Sequence, residues 1–432
     1  MIWNENKECM SRDQIEALQS ARLVKVVNHV YHNVEYYRKK MQDLGLEPGD
    51  IKGIEDLDKL PYTTYADLRD TYPFGLAAMP RSELVRVHAS SGTTGKPKVA
   101  VYTRRDIDIW SECVARCLAM AGLTKDDIIQ VGYGYGLFTG GLGAHYGAEE
   151  LGAMVLPMSA GNTQKLIDMM IDCDVTAIAC TPSYLLHVAE DLEKMGLVDK
   201  IKLKAAICGA EPWTDEMRDQ MESRLHIKAF DIYGLTEMMG PGVACDCEHH
   251  AGLHIWEDHF LPEIIDPNTL KQLPKGSDGE LVLTSLTKEG MPLIRYRTKD
   301  LTSIKYDKCE CGRTMARIQR FRGRSDDMLI IKGVNVFPSQ VEAALLTIEG
   351  TTPHYMLVVD RVDNSDTLEV QVEMTDAANA GDAASKEKLA KTIHDKLRQA
   401  IGLNAKISLM EPNGLEHFDG KSKHTTDKRK LY

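Results

Sequence analysis

The sequence predicts an α/β protein with a large N-terminal domain, in which helices cover the sheets beside a β-rich subdomain, and a small α+β C-terminal domain. Its 432 residues are more than one hydrophobic core usually serves. Between Val85 and Glu237, apolar runs such as DIIQV, VTAIAC and KAAIC alternate with amphipathic stretches. This alternation is typical of a parallel or mixed sheet between helices. After Gly323 a second, shorter β/α pattern begins.

The order of these patterns gives the domain organisation. Turn-rich pieces such as DPNTLKQLPKGSDGE, between Leu261 and Lys305, indicate the β-rich subdomain. In the C-terminal domain, helices are predicted to start at Pro338 and near Ser385. The predicted segments are a helix-rich start of the large domain, the core with its subdomain, a short connection and the C-terminal domain, at residues 1–80, 81–323, 324–327 and 328–432.

The charge and the apolar pattern exclude several classes of protein. The formal net charge is -12 and the lysines and arginines are dispersed, so we expect no nucleic-acid partner. No segment approaches the roughly 18 apolar residues of a membrane span, and the first residues lack the pattern of a secretory signal. We therefore expect a cytoplasmic protein without a membrane partner, in which the cysteines stay reduced.

A run of hydroxyls, glycines and lysines between two strand-like segments is the densest chemical signal. SSGTTGKPK, from Ser90 to Lys98, has the composition needed to surround a polyphosphate with backbone amides and side chains. It is not a Walker A loop, because the GxxxxGK[ST] spacing is missing. A mobile Gly/Ser turn is the alternative interpretation. The candidate phosphate-binding residues are Ser90, Ser91, Gly92, Thr93, Thr94, Gly95 and Lys96.

This run resembles the phosphate loop of the adenylate-forming superfamily, which comprises acyl-CoA synthetases, peptide-synthetase adenylation domains and luciferases. YGLTE, which ends at Glu237, resembles the motif whose Thr contacts the adenylate phosphate and whose Glu holds Mg²⁺. The resemblance implies these catalytic roles for Thr236 and Glu237. A carboxylate that attacks an α-phosphorus faces like-charge repulsion, which Mg²⁺ with lysine and hydroxyl donors relieves. The implied activity is a ligase that uses ATP with Mg²⁺.

Two further motifs resemble the nucleoside site of this superfamily. RYRTKD ends at Asp300, which by resemblance accepts hydrogen bonds from the ribose hydroxyls, although Lys299 replaces the more usual glycine. GAEPW and DIYG resemble the segments that flank the adenine. The residues implied at the adenine are Gly209, Ala210, Glu211, Pro212, Asp231, Ile232 and Tyr233.

The C-terminal region resembles the mobile small domain of the superfamily, which rotates between the two half-reactions. GRSDD resembles its hinge, which implies that Arg324 contacts ribose or phosphate and that Asp326 is the pivot. Gly333 and Val334 are implied in the loop that approaches coenzyme A. In DGKSKHTT, Lys421 is implied to bridge the acyl carboxylate and the phosphate during adenylation.

The glycine-rich segment from Gly132 to Gly152 is not a dinucleotide fingerprint, because Leu137 occupies the third glycine position of GxGxxG. The segment closely resembles phenylacetate-CoA ligases, and so do YGLTEMMGPGV and IWEDHFLPEI. This implies a homodimeric enzyme of aromatic acid catabolism that converts an aryl acid, phenylacetate above others, to its CoA thioester with release of AMP and pyrophosphate. The residues expected to shape a flat pocket, or alternatively to pack at a sheet end, are Tyr135, Gly136, Phe138, Gly140 and Gly141.

Two close cysteine pairs, in CDCEHHAGLH and CECGR, offer soft ligands for tetrahedral zinc. The preferred set is Cys247, His254, Cys309 and Cys311. Possible substitutes are Cys245, His249 and His250. Reduced surface cysteines are the alternative interpretation. Because the resemblance assigns Mg²⁺ to the chemistry, any zinc is expected to be structural.

Two other functions remain open from the sequence. One is an adenylate-forming transferase that uses an acceptor other than coenzyme A, although no carrier domain is evident in the chain. The other is a nucleotide-binding regulator without catalysis, which would need neither Glu237 nor Lys421 as charged groups.

Overall fold

The computed structural model describes residues 1–90, 97–211, 213–325, 329–331, 334–362, 365–415 and 424–429. The chain divides into two compact units. The first comprises Met1–Ala210 and Met221–Arg320, and the second comprises Glu211–Gln220 and Phe321–Tyr432. The main boundary between the two units therefore follows Arg320, whereas the sequence predicts that the core ends at residue 323. The predicted α/β class, with a large N-terminal and a small C-terminal domain, is confirmed.

Helices dominate the first 83 residues. Ser11 starts the longest of them with a capping box, in which its hydroxyl accepts from the Gln14 amide and the Gln14 side chain accepts from the Ser11 amide. The helices are α1 (Glu5–Glu8), α2 (Arg12–Asn33), α3 (Glu35–Asp43) and α4 (Tyr65–Asp70), and 3₁₀ turns cover Pro48–Asp50, Ile54–Lys59 and Arg81–Glu83.

Strands and helices then alternate as the sequence predicts. The strands are β1 (Arg86–Ser90), β2 (Lys98–Tyr102), β3 (Ile128–Val131), β4 (Met154–Leu156), β5 (Ala177–Cys180), β6 (Ala205–Gly209), β7 (Lys228–Leu235), β8 (Gly240–Asp246), β9 (Leu253–Ile255), β10 (Phe260–Ile265), β11 (Gly279–Ser285), β12 (Tyr296–Thr302), β13 (Ile304–Lys305) and β14 (Arg317–Ile318). The helices are α5 (Arg104–Met120), α6 (Thr139–Leu151), α7 (Thr163–Asp172), α8 (Pro182–Met195) and α9 (Asp215–Leu225).

Nine strands form one mixed sheet in the order β13-β14-β9-β8-β7-β6-β5-β3-β4. The five strands from β7 to β4 are parallel, and β8, β9, β14 and β13 continue the sheet antiparallel. Every residue of β5 and β6 is buried, as a sheet covered on both faces requires. The carboxyl ends of β6 and β7 carry GAEPW and YGLTE, which places both motifs at one edge of the sheet, where ligand sites of such folds collect.

The β-rich region predicted between Leu261 and Lys305 contains β10, β11 and β12, which pair antiparallel in sequence order. β1 and β2 form a separate antiparallel pair on either side of the phosphate-loop run. Among the described residues, no helix combines the length and the apolar composition that crossing a membrane requires.

The second unit has its own core. Its elements are β15 (Gly323–Arg324), β16 (Leu329–Ile331), β17 (Val334–Val336), α10 (Pro338–Leu345), β18 (Thr351–Val362), β19 (Ser365–Met374), α11 (Asp376–Asn379), α12 (Ala383–Ile401), β20 (Lys406–Met410) and β21 (Thr425–Asp427). A four-stranded sheet with the order β20-β19-β18-β21 packs its apolar face against α10 and α12 through residues such as Val341, Val370 and Leu397. The helix predicted near Ser385 begins two residues earlier, because Asp382 caps it by accepting from the Ser385 amide at 2.9 Å.

Candidate active site and metal centre

The YGLTE motif ends β7 and begins the turn into β8, in which Thr236 and Glu237 are buried. The amides of Met238 and Met239 both donate to the Leu235 carbonyl, which closes the turn. The Tyr102 hydroxyl lies 3.2 Å from the Thr236 carbonyl and 3.1 Å from the Met239 carbonyl. One buried hydroxyl therefore contacts two backbone carbonyls of this turn.

The Glu237 carboxylate is buried and ionised. Its Oε1 lies 2.5 Å from Lys98 Nζ and accepts a hydrogen bond from the Tyr296 hydroxyl at 2.9 Å. Burial opposes ionisation, but the Lys98 ammonium and the Tyr296 hydroxyl outweigh it and hold the pKa of Glu237 below its usual value. The Thr236 hydroxyl lies 3.4 Å from the Thr139 hydroxyl at the start of α6. Two of the three residues predicted to be catalytic, Thr236 and Glu237, thus lie beside a cation and two further hydroxyls.

A lysine that the sequence did not single out lies against the same turn. Lys288 is buried, with Nζ 3.3 Å from the Glu237 carbonyl oxygen and 4.3 Å from the centre of the Tyr102 ring. Burial lowers the pKa of Lys288 to about 8, although the nearby carboxylates of Asp106 and Glu237 favour its charged form.

Asp300 and Tyr233, which come from two of the motifs that resemble the nucleoside site, contact each other. The Tyr233 hydroxyl donates to Asp300 Oδ2 at 2.6 Å. Lys299 has a φ of +70°, a left-handed conformation that costs any side chain free energy and that glycine adopts readily. Lys299 therefore keeps the backbone bend at the position where the superfamily usually has glycine. The Lys299 ammonium lies 3.6 Å from Glu280.

The GAEPW segment begins with a close backbone approach. A Cβ atom on Gly209 would lie 2.2 Å from the Ile232 carbonyl oxygen of the adjacent strand, so only glycine fits there. Ala210 follows with a φ of +72°. Asp231 is fixed through its amide, which donates to Asp246 at 2.8 Å. Glu211 belongs to the second unit.

The glycine-rich segment, which was predicted to shape an acid pocket, also contributes to packing. A Cβ on Gly141 would lie 2.7 Å from the Gly134 carbonyl oxygen, so this glycine lets α6 approach the preceding loop. Gly140 lies against the Phe138 ring, and Phe138 is 41% exposed. Gly136 has open space at its Cβ position and a φ of +145°.

Tyr135 is half-buried in the loop before α6, and it forms a small polar cluster with His145 and Glu149 of that helix. Its hydroxyl lies 3.2 Å from His145 Nδ1, and His145 Nε2 lies 3.2 Å from the Glu149 carboxylate. Burial, with the charge of Glu149, raises the pKa of Tyr135 to about 12. At neutral pH the hydroxyl is protonated and available as a donor.

The four residues preferred as zinc ligands come together. Ligand atoms of Cys247, His254, Cys309 and Cys311 all lie within 4.8 Å of one another. The Cys247 and Cys309 sulfurs are 3.8 Å apart, and the Cys311 sulfur is 3.5 Å from His254 Nε2. The gap in sequence closes because β9, which carries His254, pairs with both β8 and β14.

The electrostatics of this cluster favour thiolates at Cys309 and Cys311, whereas hydrogen bonding to Cys311 and burial raise the pKa of Cys247. Hydrogen bonding from Cys247, together with His254, lowers the pKa of Cys311, and hydrogen bonding to His254 lowers the pKa of Cys309. Burial disfavours the imidazolium, but Cys309 and Cys311 outweigh it and raise the pKa of His254. Thiolates are the form in which cysteine binds metal ions.

The three substitute ligands lie elsewhere. The Cys245 sulfur contacts the Asp246 carbonyl at 3.5 Å. His250 lies 2.8 Å from the Asp246 carboxylate, and His249 lies 3.4 Å from Glu310. The cluster is instead supported by Arg313, whose guanidinium contacts the Cys311 sulfur at 3.6 Å and donates to Glu8 and to the Met1 carbonyl, each at 2.6 Å.

Several predicted residues lie outside the described part of the chain. These are Ser91, Gly92, Thr93, Thr94, Gly95, Lys96, Pro212, Asp326, Gly333 and Lys421. Ser90 ends β1, Arg324 ends β15 and Val334 begins β17.

Sequence reasoning missed five residues around these sites. Lys98, Tyr296 and Thr139 lie inside quoted motifs, so the motifs gave a signal that was not assigned to them. Arg313 ends the quoted CECGR, in which only the cysteines were assigned. Lys288 had no signal, because a single charged residue in a turn looks like a solvated side chain until the fold buries it.

Two family models match the chain. The model described as AMP-binding enzyme matches residues 18–287, and the model described as AMP-binding enzyme C-terminal domain matches residues 333–429.

Proteins with known names match over nearly the full length. A phenylacetate-coenzyme A ligase of Aromatoleum evansii is 51% identical over 98% of this chain and 96% of its own. One from Thermus thermophilus is 44% identical over 100% of both chains. A crystal structure of 2-hydroxyisobutyryl-CoA ligase in the postadenylation state, in complex with R3-HIB-AMP, is 28% identical and superposes with a TM-score of 0.92 over 100% of this chain and 93% of that one.

Proposed function

Since this chain belongs to the phenylacetate-CoA ligases of the AMP-binding enzyme family, we propose that it activates phenylacetate with ATP and transfers the acyl group to coenzyme A. The observation that carries the proposal is the meeting of Glu237, Lys98 and Tyr296 at the turn that also bears Thr236, with Asp300 paired to Tyr233. This arrangement offers a carboxylate, a cation and hydroxyls to a nucleotide.

In the first half-reaction, a carboxylate oxygen of phenylacetate attacks the α-phosphorus of ATP and the bond to the β-phosphate bridging oxygen breaks, which releases pyrophosphate. Mg²⁺, when bound, would neutralise phosphate charge. Glu237 would hold it, because one ionised carboxylate plus phosphate oxygens is a common ligand set for Mg²⁺. Lys98 and Thr236 would donate to phosphate oxygens, and Asp300 would accept from the ribose hydroxyls. Lys421 would bridge the two negatively charged reactants.

In the second half-reaction, the thiol sulfur of coenzyme A attacks the acyl carbonyl carbon, AMP leaves, and the thiol proton passes to solvent. We propose that the region of Arg324 and Asp326 acts as the hinge between the steps, and that Gly333 and Val334 approach coenzyme A. Thiol attack needs no bridging lysine, so Lys421 is assigned to the first step alone.

The assignment of Lys421 to the first half-reaction alone is tested with Lys421→Ala. The variant is expected to lose phenylacetate-dependent pyrophosphate exchange by at least about 100-fold, because a charge contact made in the transition state is removed. Thioester formation from presynthesised phenylacetyl-adenylate and coenzyme A should stay close to wild type. A matched control is Lys406→Ala, at an exposed site of the second unit. Equal loss of both half-reactions would overturn this assignment.

A screen of acids tests the reaction itself. Exchange that depends on phenylacetate, with phenylacetyl-CoA and AMP as products when coenzyme A is added, is the expected result. Exchange without consumption of coenzyme A would instead indicate a transferase with another acceptor. Nucleotide binding without any acid-dependent exchange would indicate a regulator.

We also propose a structural Zn²⁺ at the four-ligand cluster. Zinc bonds of about 2.3 Å to sulfur and 2.0 Å to nitrogen give tetrahedral edges of about 3.8 and 3.5 Å. These values match the Cys247–Cys309 distance of 3.8 Å and the Cys311–His254 distance of 3.5 Å. The cluster would then join the cysteine loops to the N-terminal segment through Arg313.

Elemental analysis of protein purified without chelators tests the zinc. About one zinc per chain is expected in the wild type, as a closed four-ligand site requires. Cys309→Ala should lose the metal, whereas Cys245→Ala, at a neighbouring buried cysteine outside the cluster, should keep it. Wild-type protein with no metal, or equal metal content in both variants, would contradict the proposal.

We propose that the protein is located in the cytoplasm, because its cosubstrates ATP and coenzyme A are available there. By similarity to the phenylacetate-CoA ligases we also expect a homodimer, which light scattering coupled to gel filtration would measure directly.

A further inference from the structure

Lys288 is a buried cation that the proposed chemistry does not use. It lies in the loop between β11 and β12, with 1% of its surface exposed. Its ammonium donates to the Glu237 carbonyl at 3.3 Å and lies above the Tyr102 ring at 4.3 Å. An ammonium so far from water is costly unless it is paired or makes specific contacts.

The loop that carries Lys288 is fixed on both sides. Asp106, a fully buried carboxylate at the start of α5, accepts from the Glu289 amide at 2.7 Å and from the Gly290 amide at 2.8 Å. The Thr287 hydroxyl lies 2.9 Å from His259 Nδ1. The residues on both sides of Lys288 are thus held by α5 and by His259, which limits how far Lys288 can withdraw.

Two buried groups contact the backbone carbonyls of the turn that bears Thr236 and Glu237. The Tyr102 hydroxyl donates to the Thr236 and Met239 carbonyls, and Lys288 donates to the Glu237 carbonyl. The side chains of Thr236 and Glu237 contact a different set, which comprises Thr139, Lys98 and Tyr296. A hydrogen bond from a charged donor is stronger than one from a neutral donor, so Lys288 restrains the backbone at the residue assigned to the metal.

We infer that Lys288 is a positioning residue for adenylation: by holding the Glu237 carbonyl it fixes the turn that presents Thr236 and Glu237 to ATP and its metal. The inference rests on the proposed function. It assigns Lys288 no contact with the reactants. A mispositioned Glu237 carboxylate weakens both the binding of the metal nucleotide and the stabilisation of the transition state, because small displacements of such groups are costly.

The test is Lys288→Met, which is one atom shorter, keeps an unbranched apolar side chain and removes the charge and the donor. We expect at least about a tenfold loss in kcat/KM for MgATP in pyrophosphate exchange, the size of one lost charged hydrogen bond. Calorimetric binding of Mg²⁺ with α,β-methylene-ATP should weaken as well. Thioester formation from presynthesised phenylacetyl-adenylate should change by less than about threefold. Lys288→Arg, which keeps a charged donor, should recover part of the loss.

Controls separate the possible failures. Lys204→Met makes the same chemical change at a lysine paired with Asp127 on the sheet, and is expected to match wild type in both half-reactions. If Lys288→Met does not fold, Lys288→Gln, which keeps a neutral donor, is expected to give a smaller loss that again falls on the first half-reaction. Unchanged MgATP binding, or equal loss in both half-reactions, overturns the inference. Wild-type protein that shows no phenylacetate-dependent exchange overturns the proposed function instead.

Discussion

At the scale of single residues, the site shows how burial changes the chemistry of ordinary side chains. Glu237 keeps its charge although it is 3% exposed, because Lys98 and Tyr296 compensate for the lost water. Lys98 and the Tyr296 hydroxyl both contact Oε1 of this carboxylate. The metal proposed at Glu237 would therefore share the carboxylate with this ion pair.

His259 gives a pH dependence at the same scale. Burial lowers the pKa of His259 to about 4, although Asp258 favours the charged form. An unfolded histidine titrates near 6.5, so the unfolded chain binds more protons between pH 6.5 and 4. The contribution of His259 to the free energy of unfolding is therefore complete above pH 6.5. As the pH falls towards 4, the free energy of unfolding decreases through this group by about 3 kcal/mol at most.

The measurement is the urea midpoint of the first unit at several pH values from 7.5 to 4.5. His259→Gln, which can keep a contact with Thr287, should show a smaller loss of stability over this range than wild type. Parallel pH profiles for the two proteins would contradict the prediction.

At the scale of elements, glycines decide how closely α6 can approach its neighbours. Gly147 faces Val114 of α5 and Gly143 faces Trp110, with hypothetical Cβ contacts of 2.3 and 2.7 Å. The start of α6 carries Thr139, whose hydroxyl lies 3.4 Å from the Thr236 hydroxyl. The glycines of the segment, which the sequence connected with an aryl pocket, thus also bring this helix to the turn proposed to bind the nucleotide.

Gly141→Ala tests this packing. The added methyl would lie 2.7 Å from the Gly134 carbonyl oxygen, so the helix or the Tyr133–Tyr135 loop has to shift. We expect a loss of about 1–3 kcal/mol in stability and a higher KM for phenylacetate. Gly49→Ala is the matched control, because no atom lies within 4 Å of its Cβ position. A Gly141→Ala protein with wild-type stability and KM would show that the close approach has no consequence.

At the scale of the whole molecule, the two units have separate interiors. The core of the second unit consists of its own residues, among them Leu357, Val370 and Leu397. The first unit is organised around the nine-stranded sheet, in which Ile178 is fully buried. Separate cores predict separate unfolding transitions.

Scanning calorimetry of the full chain tests this independence. Leu397→Ala should cost about 2–5 kcal/mol and lower the temperature of one transition only. Ile178→Ala should lower the other transition by a comparable cavity effect. A single transition that both substitutions shift equally would mean that the units unfold together.

The sequence by itself determined the fold class and the order of the motifs, and both follow from local properties of the chain. Apolar runs that alternate with amphipathic stretches specify a covered sheet, and the resemblance of YGLTE and the glycine-rich segment to phenylacetate-CoA ligases, which is confirmed, needs only residue types in order. The sequence also favoured Cys247 over Cys245, and the structure brings Cys247 to His254, Cys309 and Cys311.

Only the tertiary structure decided which side chains meet. Lys288 and Glu237 are 51 residues apart, and Arg313 and Glu8 are 305 apart, so no local pattern indicates either contact. The strand order explains the metal cluster, because β9 lies between β8 and β14. Burial likewise appears only after folding, and it sets the pKa of Lys288 and of His259. Chemistry that depends on proximity and on the loss of water therefore had to be read from the fold.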